Sequence, residues 1–133
     1  MTCYLDSSAL VKLVLDEDES EALHTFMEGR VGAMSTAALA RTEVARAVAA
    51  HGPEKLGDAH RLLGTCSEIT LSRHLLDRAG ALSHELGLRS LAAIHLAAAE
   101  QIRPYLSVVV TYDPRIAEGA RRVGLEVVMP GVG

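Results

Sequence analysis

The segment SVVVT at residues 107–111, followed by Tyr112, Asp113 and Pro114, decides the fold class. Three consecutive valines with no polar residue between them are typical of a strand that is buried on both faces. Such strands occur in parallel sheets that helices cover on both sides. After Tyr112-Asp113-Pro114 the chain is predicted to continue as a helix to about Val123. The segment therefore indicates an α/β protein.

Strand and helix patterns alternate along the rest of the chain. Predicted strands cover residues 2–5, 33–35, 68–71, 107–111 and 126–129, and predicted helices cover 9–15, 20–28, 36–50, 54–63, 73–86, 91–102 and 114–123. Gly29 and Gly32 are predicted to bracket a turn, and Ser90 to cap the helix that starts at Leu91. The alternation predicts a mostly parallel central sheet with helices on both faces. We expect residues 1–133 to form a single domain.

The composition is that of a globular protein. Of the 133 residues, 49% are hydrophobic and 23% are charged, which argues against a disordered or low-complexity chain. No apolar run approaches the length of a membrane span, and the N-terminus has no signal-peptide pattern. Cys3 and Cys66 have no partner at zinc-ligand spacing, so we interpret them as small buried residues. A cytoplasmic location without membrane attachment is expected.

The net charge of −4 at first argues against a nucleic-acid partner. However, five acidic residues fall within residues 16–21, and the rest of the chain is nearly neutral. The acidity is therefore mostly local, and it does not exclude RNA. With only four aromatic residues, the chain is poorly suited to the base-stacking surfaces of many single-strand binders.

Two predicted strands end in an acidic residue. Asp6 follows the first strand and Asp113 follows the valine strand, so both carboxylates are expected at the same edge of the sheet. Each also precedes a helix, and either one alone is readily explained as an N-cap. Together they indicate a site of hard oxygen ligands, which suits Mg²⁺ or Mn²⁺.

Three other positions are candidates for supporting roles. Glu43 interrupts the apolar face of its predicted helix, although a surface pairing with Arg41 or Arg46 would explain it equally well. Ser8 and Thr111 lie two positions from Asp6 and Asp113, where their hydroxyl groups could orient a carboxylate. His95 falls within the predicted helix at residues 91–102, and packing in the core is its simpler interpretation.

Four segments carry a resemblance to a known family. YLDSSALVKL, TEVARA, LGLRSLAAIHLAAA and VVTYDPRIAEGARRVGLEV resemble, in order and spacing, the PIN-domain family, and more narrowly the VapC-type ribonuclease toxins of type II toxin–antitoxin pairs. The resemblance implies a three-layer α/β/α sandwich and Mg²⁺- or Mn²⁺-dependent cleavage of RNA. It assigns Asp6, Glu43 and Asp113 as catalytic, metal-binding acids, with Ser8 and Thr111 orienting them.

One position departs from the family pattern. Ala92 stands where the family normally has an aspartate that is followed by Ala93. The loss of this acid predicts weaker metal binding and an impaired catalytic site. Two origins remain open, an engineered knock-out and natural decay, and the intact pattern around Ala92 favours the first. A non-catalytic protein that retains only antitoxin or RNA binding is the alternative function.

The resemblance also implies partners. These are a cognate VapB-type antitoxin, whose peptide would lie along the groove of the early helices, an RNA substrate and a second copy of the chain in a homodimer. Two other classes of protein with acids at strand ends fit less well. Haloacid dehalogenase phosphatases need an aspartate at the position of Ser8, and response-regulator receivers usually need paired acids near the first strand.

Overall fold

The computed structural model describes residues 1–30 and 32–133, and its elements alternate between strand and helix. The strands are β1 (Thr2–Leu5), β2 (Met34–Ala37), β3 (Ser67–Ile69), β4 (Leu106–Val110) and β5 (Val127–Val128). The helices are α1 (Ser7–Val14), α2 (Ser20–Met27), α3 (Ala40–Val48), α4 (Pro53–Thr65), α5 (Arg73–Leu86), α6 (Ser90–Gln101) and α7 (Pro114–Arg122). The strands form one parallel sheet in the order β3-β2-β1-β4-β5.

Helices cover both faces of the sheet. In β1, Cys3 and Leu5 pack into a core with α1 to α4, whereas Tyr4 packs into a second core with α5, α6 and the end of α7. This division follows from the alternation of side chains along a strand. The predicted three-layer α/β/α architecture is confirmed.

The valine strand lies between these two cores. Val108 and Val110 face the first core and Val109 the second, and each is less than a tenth exposed. A strand in the interior of a parallel sheet has no solvent face, which explains why the segment shows no polar alternation. The prediction of a doubly buried strand is confirmed for Val108, Val109 and Val110, whereas Ser107 is exposed and Thr111 follows the strand.

The predicted helix over residues 36–50 begins too early. Thr36 and Ala37 belong to β2, where they pair with Glu68 and Ile69 of β3, and α3 begins only at Ala40. Local helix propensity favours a helix here, but pairing with β3 and burial in the sheet outweigh it. The true strand is four residues long, and Thr36 is fixed in it by a hydrogen bond to the carbonyl of Leu5.

The predicted cap of α6 is also wrong. The N-cap is Arg89, and Ser90 is the first helical residue, so its hydroxyl does not cap the helix. The predicted turn between Gly29 and Gly32 contains Val31, which lies outside the described residues. Among the described residues, no helix combines the length and hydropathy that a membrane span requires.

The topology brings two chain segments together at the carboxyl edge of the sheet. β1 is the central strand and pairs with β4 in a register that aligns Leu5 with Val110. The residues that follow, Asp6 and Thr111, therefore leave the sheet side by side. Ligands of open α/β sheets bind at such an edge, near the strand where the order reverses.

Candidate active site

A cavity of about 400 Å³ lies at this edge of the sheet. Four of the residues singled out in the sequence as the acidic site line it together, namely Asp6, Glu43, Ala92 and Asp113. Ser8 is also part of the lining, whereas Thr111 lies beneath it, fully buried. The other lining residues are Ser7, Arg89, Ser90, Leu91, His95, Arg115 and Ile116.

Asp6 is a buried carboxylate, only 1% exposed. It is the N-cap of α1, and its Oδ1 accepts hydrogen bonds from the Ala9 amide at 3.1 Å and the Ser8 hydroxyl at 2.6 Å. Its Oδ2 accepts a hydrogen bond from Thr111 at 2.5 Å. Burial raises the pKa of Asp6, and these bonds and nearby His95 only partly oppose the effect.

Asp113 has a simpler environment. It is the N-cap of α7, and its Oδ1 accepts a hydrogen bond from the Arg115 amide at 2.8 Å. Its own amide donates to the Thr111 hydroxyl at 3.0 Å, so Thr111 contacts both acids. The capping role expected for an aspartate before a helix is therefore real for Asp6 and Asp113, but it does not explain why both reach one cavity.

Glu43 does not pair with Arg41 or Arg46. Its Oε1 accepts a hydrogen bond from the Ser7 hydroxyl at 2.6 Å and lies 2.6 Å from Nε2 of His95. Burial on its own would raise the pKa of Glu43, but the hydrogen bonds from His95 and Ser7 outweigh it and the pKa is lowered. Glu43 is therefore held as an acceptor, in the ionised form.

The imidazole of His95 continues this network into the core. Nδ1 of His95 lies 2.7 Å from the Tyr4 hydroxyl, and the two rings meet edge to face. Burial raises the pKa of Tyr4, so the phenol stays protonated.

Ser7, His95 and Glu43 do not form a hydrolytic triad. In a triad, the nucleophile and the acid contact opposite nitrogens of the histidine. Here the Ser7 hydroxyl and Glu43 both approach Nε2, at 3.2 Å and 2.6 Å. The Ser7 hydroxyl also donates its hydrogen bond to the Glu43 carboxylate and not to the imidazole, so the serine is not activated as a nucleophile.

Ala92, where the family resemblance implies an aspartate, is also part of the lining. It lies in the first turn of α6, which contains no acidic residue, and its methyl group lines the cavity. The N-terminal end of a helix favours a negative charge, so an aspartate at this position would be stabilised by the helix as well as by any cation nearby.

Two arginines occupy the wall of the cavity. Arg89 is the N-cap of α6 and Arg115 lies in the first turn of α7, and both side chains are exposed. Neither takes part in the ion pairs formed within the described part of the chain. The lining of the cavity therefore combines carboxylates with cationic groups that form no ion pair among the described residues.

The donor chemistry fits a hard divalent cation, but the number of ligands is low. Asp6 is a buried carboxyl group without an ion-pair partner among the described residues, and a cation in the cavity would stabilise its charged form. Yet no three acidic, histidine or cysteine side chains in residues 1–30 and 32–133 converge closely enough to enclose a metal ion. The site fits Mg²⁺ or Mn²⁺ as an incomplete set of ligands.

Comparison with known proteins identifies the family. The family model described as PIN domain matches residues 3–122. The chain belongs to the PIN-domain family. It is also 39% identical over 127 residues to ribonuclease VapC46 of Mycobacterium tuberculosis, and 39% identical over 132 residues to ribonuclease VapC47 of the same species. Each alignment covers 96% of both chains, so the protein is a VapC-type PIN domain.

Solved structures support the same fold. A chain of a toxin–antitoxin complex from Klebsiella pneumoniae superposes with a TM-score of 0.76 at 20% identity, covering 97% of this chain and 98% of that one. PAE2754 from Pyrobaculum aerophilum superposes with a TM-score of 0.65 at 21% identity, covering 90% and 84%. At these identities the likeness shows that the PIN-domain fold is shared.

Sequence reasoning missed several residues of this site. Ser7 and His95 were not assigned to it, although His95 was noted in its helix, and the two wall arginines were not singled out. The arginines follow the same logic as the acids, because each lies at the start of a helix that leaves the carboxyl edge of the sheet. No comparable signal exists for His95, whose partners are 52 and 91 positions away in the chain.

Proposed function

We propose that this chain is a VapC-type toxin whose cavity is the active site of a metal-dependent endoribonuclease, impaired here because Ala92 replaces an aspartate. The observation that carries the proposal is the meeting of Asp6, Glu43, Asp113 and Ala92 around one cavity. These four positions come from four separate segments of the chain. A purely structural explanation by capping accounts for two of them and leaves Glu43 unexplained.

The proposed roles follow from the surroundings of each side chain. Asp6 and Asp113 would hold Mg²⁺ or Mn²⁺, and Glu43 would contact it directly or through water. When bound, the ion supplies Lewis acidity for activation of water and charge to offset the scissile phosphate. Ser8 and Thr111 keep both oxygens of Asp6 oriented through their hydrogen bonds. Arg89 and Arg115 would bind backbone phosphates of the RNA.

The proposed partners follow from the family. A VapB-type antitoxin is the expected inhibitor, and the Klebsiella pneumoniae relative in fold comes from a toxin–antitoxin complex. We also propose an RNA substrate, a homodimeric assembly and a cytoplasmic location. These proposals apply to the chain with Ala92 as well, because the substitution lies inside the cavity rather than on the outer helices.

A non-catalytic role is the second candidate. It is favoured by one specific observation, the absence of any metal-enclosing cluster of three ligating side chains within the described residues. In that case the chain would keep its antitoxin or RNA partner and hydrolyse nothing.

The decisive experiment restores the missing carboxylate. We expect Ala92→Asp to cleave RNA in the presence of Mg²⁺ or Mn²⁺ at a rate on the order of a hundredfold or more above that of the parent chain, because a metal ligand and its charge are regained. Ala92→Asn is the matched control, since it has nearly the same shape without the charge. Excess EDTA should stop the reaction.

Three results would contradict the proposal. Cleavage by Ala92→Asp that persists in EDTA would exclude metal dependence. Equal cleavage by the parent chain and Ala92→Asp would exclude impairment by Ala92. If folded Ala92→Asp does not cleave RNA under any metal condition, the non-catalytic alternative is favoured.

A further inference from the structure

Glu43 is connected to the core by a chain of buried polar groups. The Tyr4 hydroxyl lies 2.7 Å from Nδ1 of His95, and Nε2 of His95 lies 2.6 Å from Oε1 of Glu43. Tyr4 and His95 are 0% and 3% exposed. The three residues come from β1, α6 and α3, so the network joins the central strand to helices on opposite faces of the sheet.

The chemistry of Glu43 fixes the donor at this contact. An ionised carboxylate only accepts hydrogen bonds, so Nε2 of His95 must carry the hydrogen that bonds to Glu43. Nδ1 of His95 is engaged by the Tyr4 hydroxyl. Because both ring nitrogens have partners, the imidazole is held in one orientation against Glu43.

The network occupies only one oxygen of Glu43. Both His95 and Ser7 contact Oε1, whereas Oε2 accepts no hydrogen bond from the described residues. Glu43 is 27% exposed at its side chain and lines the cavity. One oxygen is thus fixed to the protein while the other remains available to a ligand.

We propose that Tyr4 and His95 are positioning residues that fix Oε1 of Glu43 so that Oε2 is presented to a divalent cation, or to its water, in the cavity. This inference rests on the proposed function. It assigns a role to two residues that are not themselves ligands. Partners of metal-binding groups act in this way, by restricting the rotation of a ligand before the ion binds.

The first test measures the network without metal. In the parent chain, ¹⁵N NMR of the imidazole should show a protonated Nε2 for His95, the nitrogen that donates to Glu43. Tyr4→Phe removes only the hydroxyl that contacts Nδ1, so it should perturb the imidazole signals. A protonated Nδ1 with a bare Nε2 in the parent chain would overturn the proposal, whatever the protein does to RNA.

The second test measures Mn²⁺ binding by calorimetry in the Ala92→Asp background. We expect His95→Leu to weaken binding about tenfold, a magnitude typical for loss of a ligand's hydrogen-bonding partner. His95→Gln should recover much of this loss, because its amide can donate to Oε1. His60→Leu makes the same change at an exposed position of α4 and should leave binding unchanged.

A double-mutant cycle separates positioning from general damage to the fold. If His95 acts through Glu43, His95→Leu should not weaken Mn²⁺ binding further once Glu43→Gln is present. An equal loss in both backgrounds would overturn the proposal. The proposal would also be overturned if folded His95→Leu, in the Ala92→Asp background, bound Mn²⁺ as tightly as Ala92→Asp alone. If Ala92→Asp still cleaves RNA, that result leaves the proposed function intact. If Ala92→Asp neither binds Mn²⁺ nor cleaves RNA, the proposed function fails. The positioning of a metal ligand is then overturned with it, even if NMR establishes the hydrogen bond from Nε2 of His95 to Glu43.

Discussion

The Thr111 hydroxyl donates a hydrogen bond of 2.5 Å to Oδ2 of Asp6, which is 105 positions away in the chain. The same hydroxyl accepts a hydrogen bond of 3.0 Å from the Asp113 amide. Ser8 makes a second connection from the other segment, since its hydroxyl donates a hydrogen bond to Asp6 and accepts one from the Tyr112 amide. Two hydroxyl groups therefore join the residues that follow β1 to those that follow β4.

This connection predicts that Thr111→Val destabilises the protein. The substitution preserves the shape of the side chain but leaves a buried carboxylate oxygen and the Asp113 amide without their partner, which should lower the free energy of unfolding by about 1–3 kcal/mol. Urea denaturation measures the effect. Thr111→Ser keeps the hydroxyl, so its free energy of unfolding should fall clearly less than that of Thr111→Val. Equal stability of the valine variant and the parent would show that the hydrogen bonds do not hold the two strand ends together.

The buried carboxylate of Asp6 predicts a pH dependence of stability. Its pKa is raised in the folded state, so the folded protein binds more protons than the unfolded chain between the unfolded and folded pKa values. The contribution of Asp6 to stability therefore falls as the pH rises through this interval, and stays low above it. Glu43, with its lowered pKa, contributes in the opposite direction, and loses its stabilising effect as the pH falls.

Asp6→Asn isolates the first of these effects. In EDTA, the free energy of unfolding of the variant relative to the parent should increase as the pH rises above the ordinary pKa of an aspartate, because the charged form of Asp6 becomes populated in the folded parent. Thermal or urea unfolding across this range measures the difference. Asp77→Asn, at an exposed position of α5, is the control. A difference that stays constant or decreases with pH would contradict the assigned direction.

The free arginines on the cavity wall predict a salt-dependent contribution to RNA binding. Arg89→Ala and Arg115→Ala should each weaken binding of single-stranded RNA. Each should also reduce the slope of log affinity against log salt by about 0.7 for one lost phosphate contact. The parent chain with Ala92 suits this measurement, because it is expected to cleave slowly. Fluorescence anisotropy over a series of KCl concentrations provides the slopes.

A matched control for the arginines lies on α4. Arg61 pairs with Asp58 and does not line the cavity, so Arg61→Ala removes the same charge from another surface. Its salt slope should match that of the parent. If all three alanine variants reduce affinity and slope equally, RNA contacts the whole surface without preference for the cavity.

Much of the fold was predictable because its signals are local. The apolar strand predicted at residues 107–111, observed as Leu106–Val110, needs no knowledge of its neighbours, since consecutive valines are typical of a doubly buried strand. Helix α5 was predicted with its observed bounds, and Gly87 ends it in the left-handed conformation at φ 68°. The structure adds Ser72 as its N-cap. Where a segment's own preference competes with a distant partner, as at Thr36 and Ala37, the prediction was wrong.

The sequence by itself determined the order of strands and helices, the two acids that follow β1 and β4, and an alanine at residue 92, where the family resemblance implies an aspartate. Each depends on residues close together in the chain. The tertiary structure decided which oxygen of Glu43 is fixed, by His95 from 52 positions away and by Ser7 from 36. It also decided that Thr111 contacts both acids, and that Arg89 and Arg115 line one cavity. These contacts join segments that meet only when the sheet forms, so no local pattern in the sequence contains them.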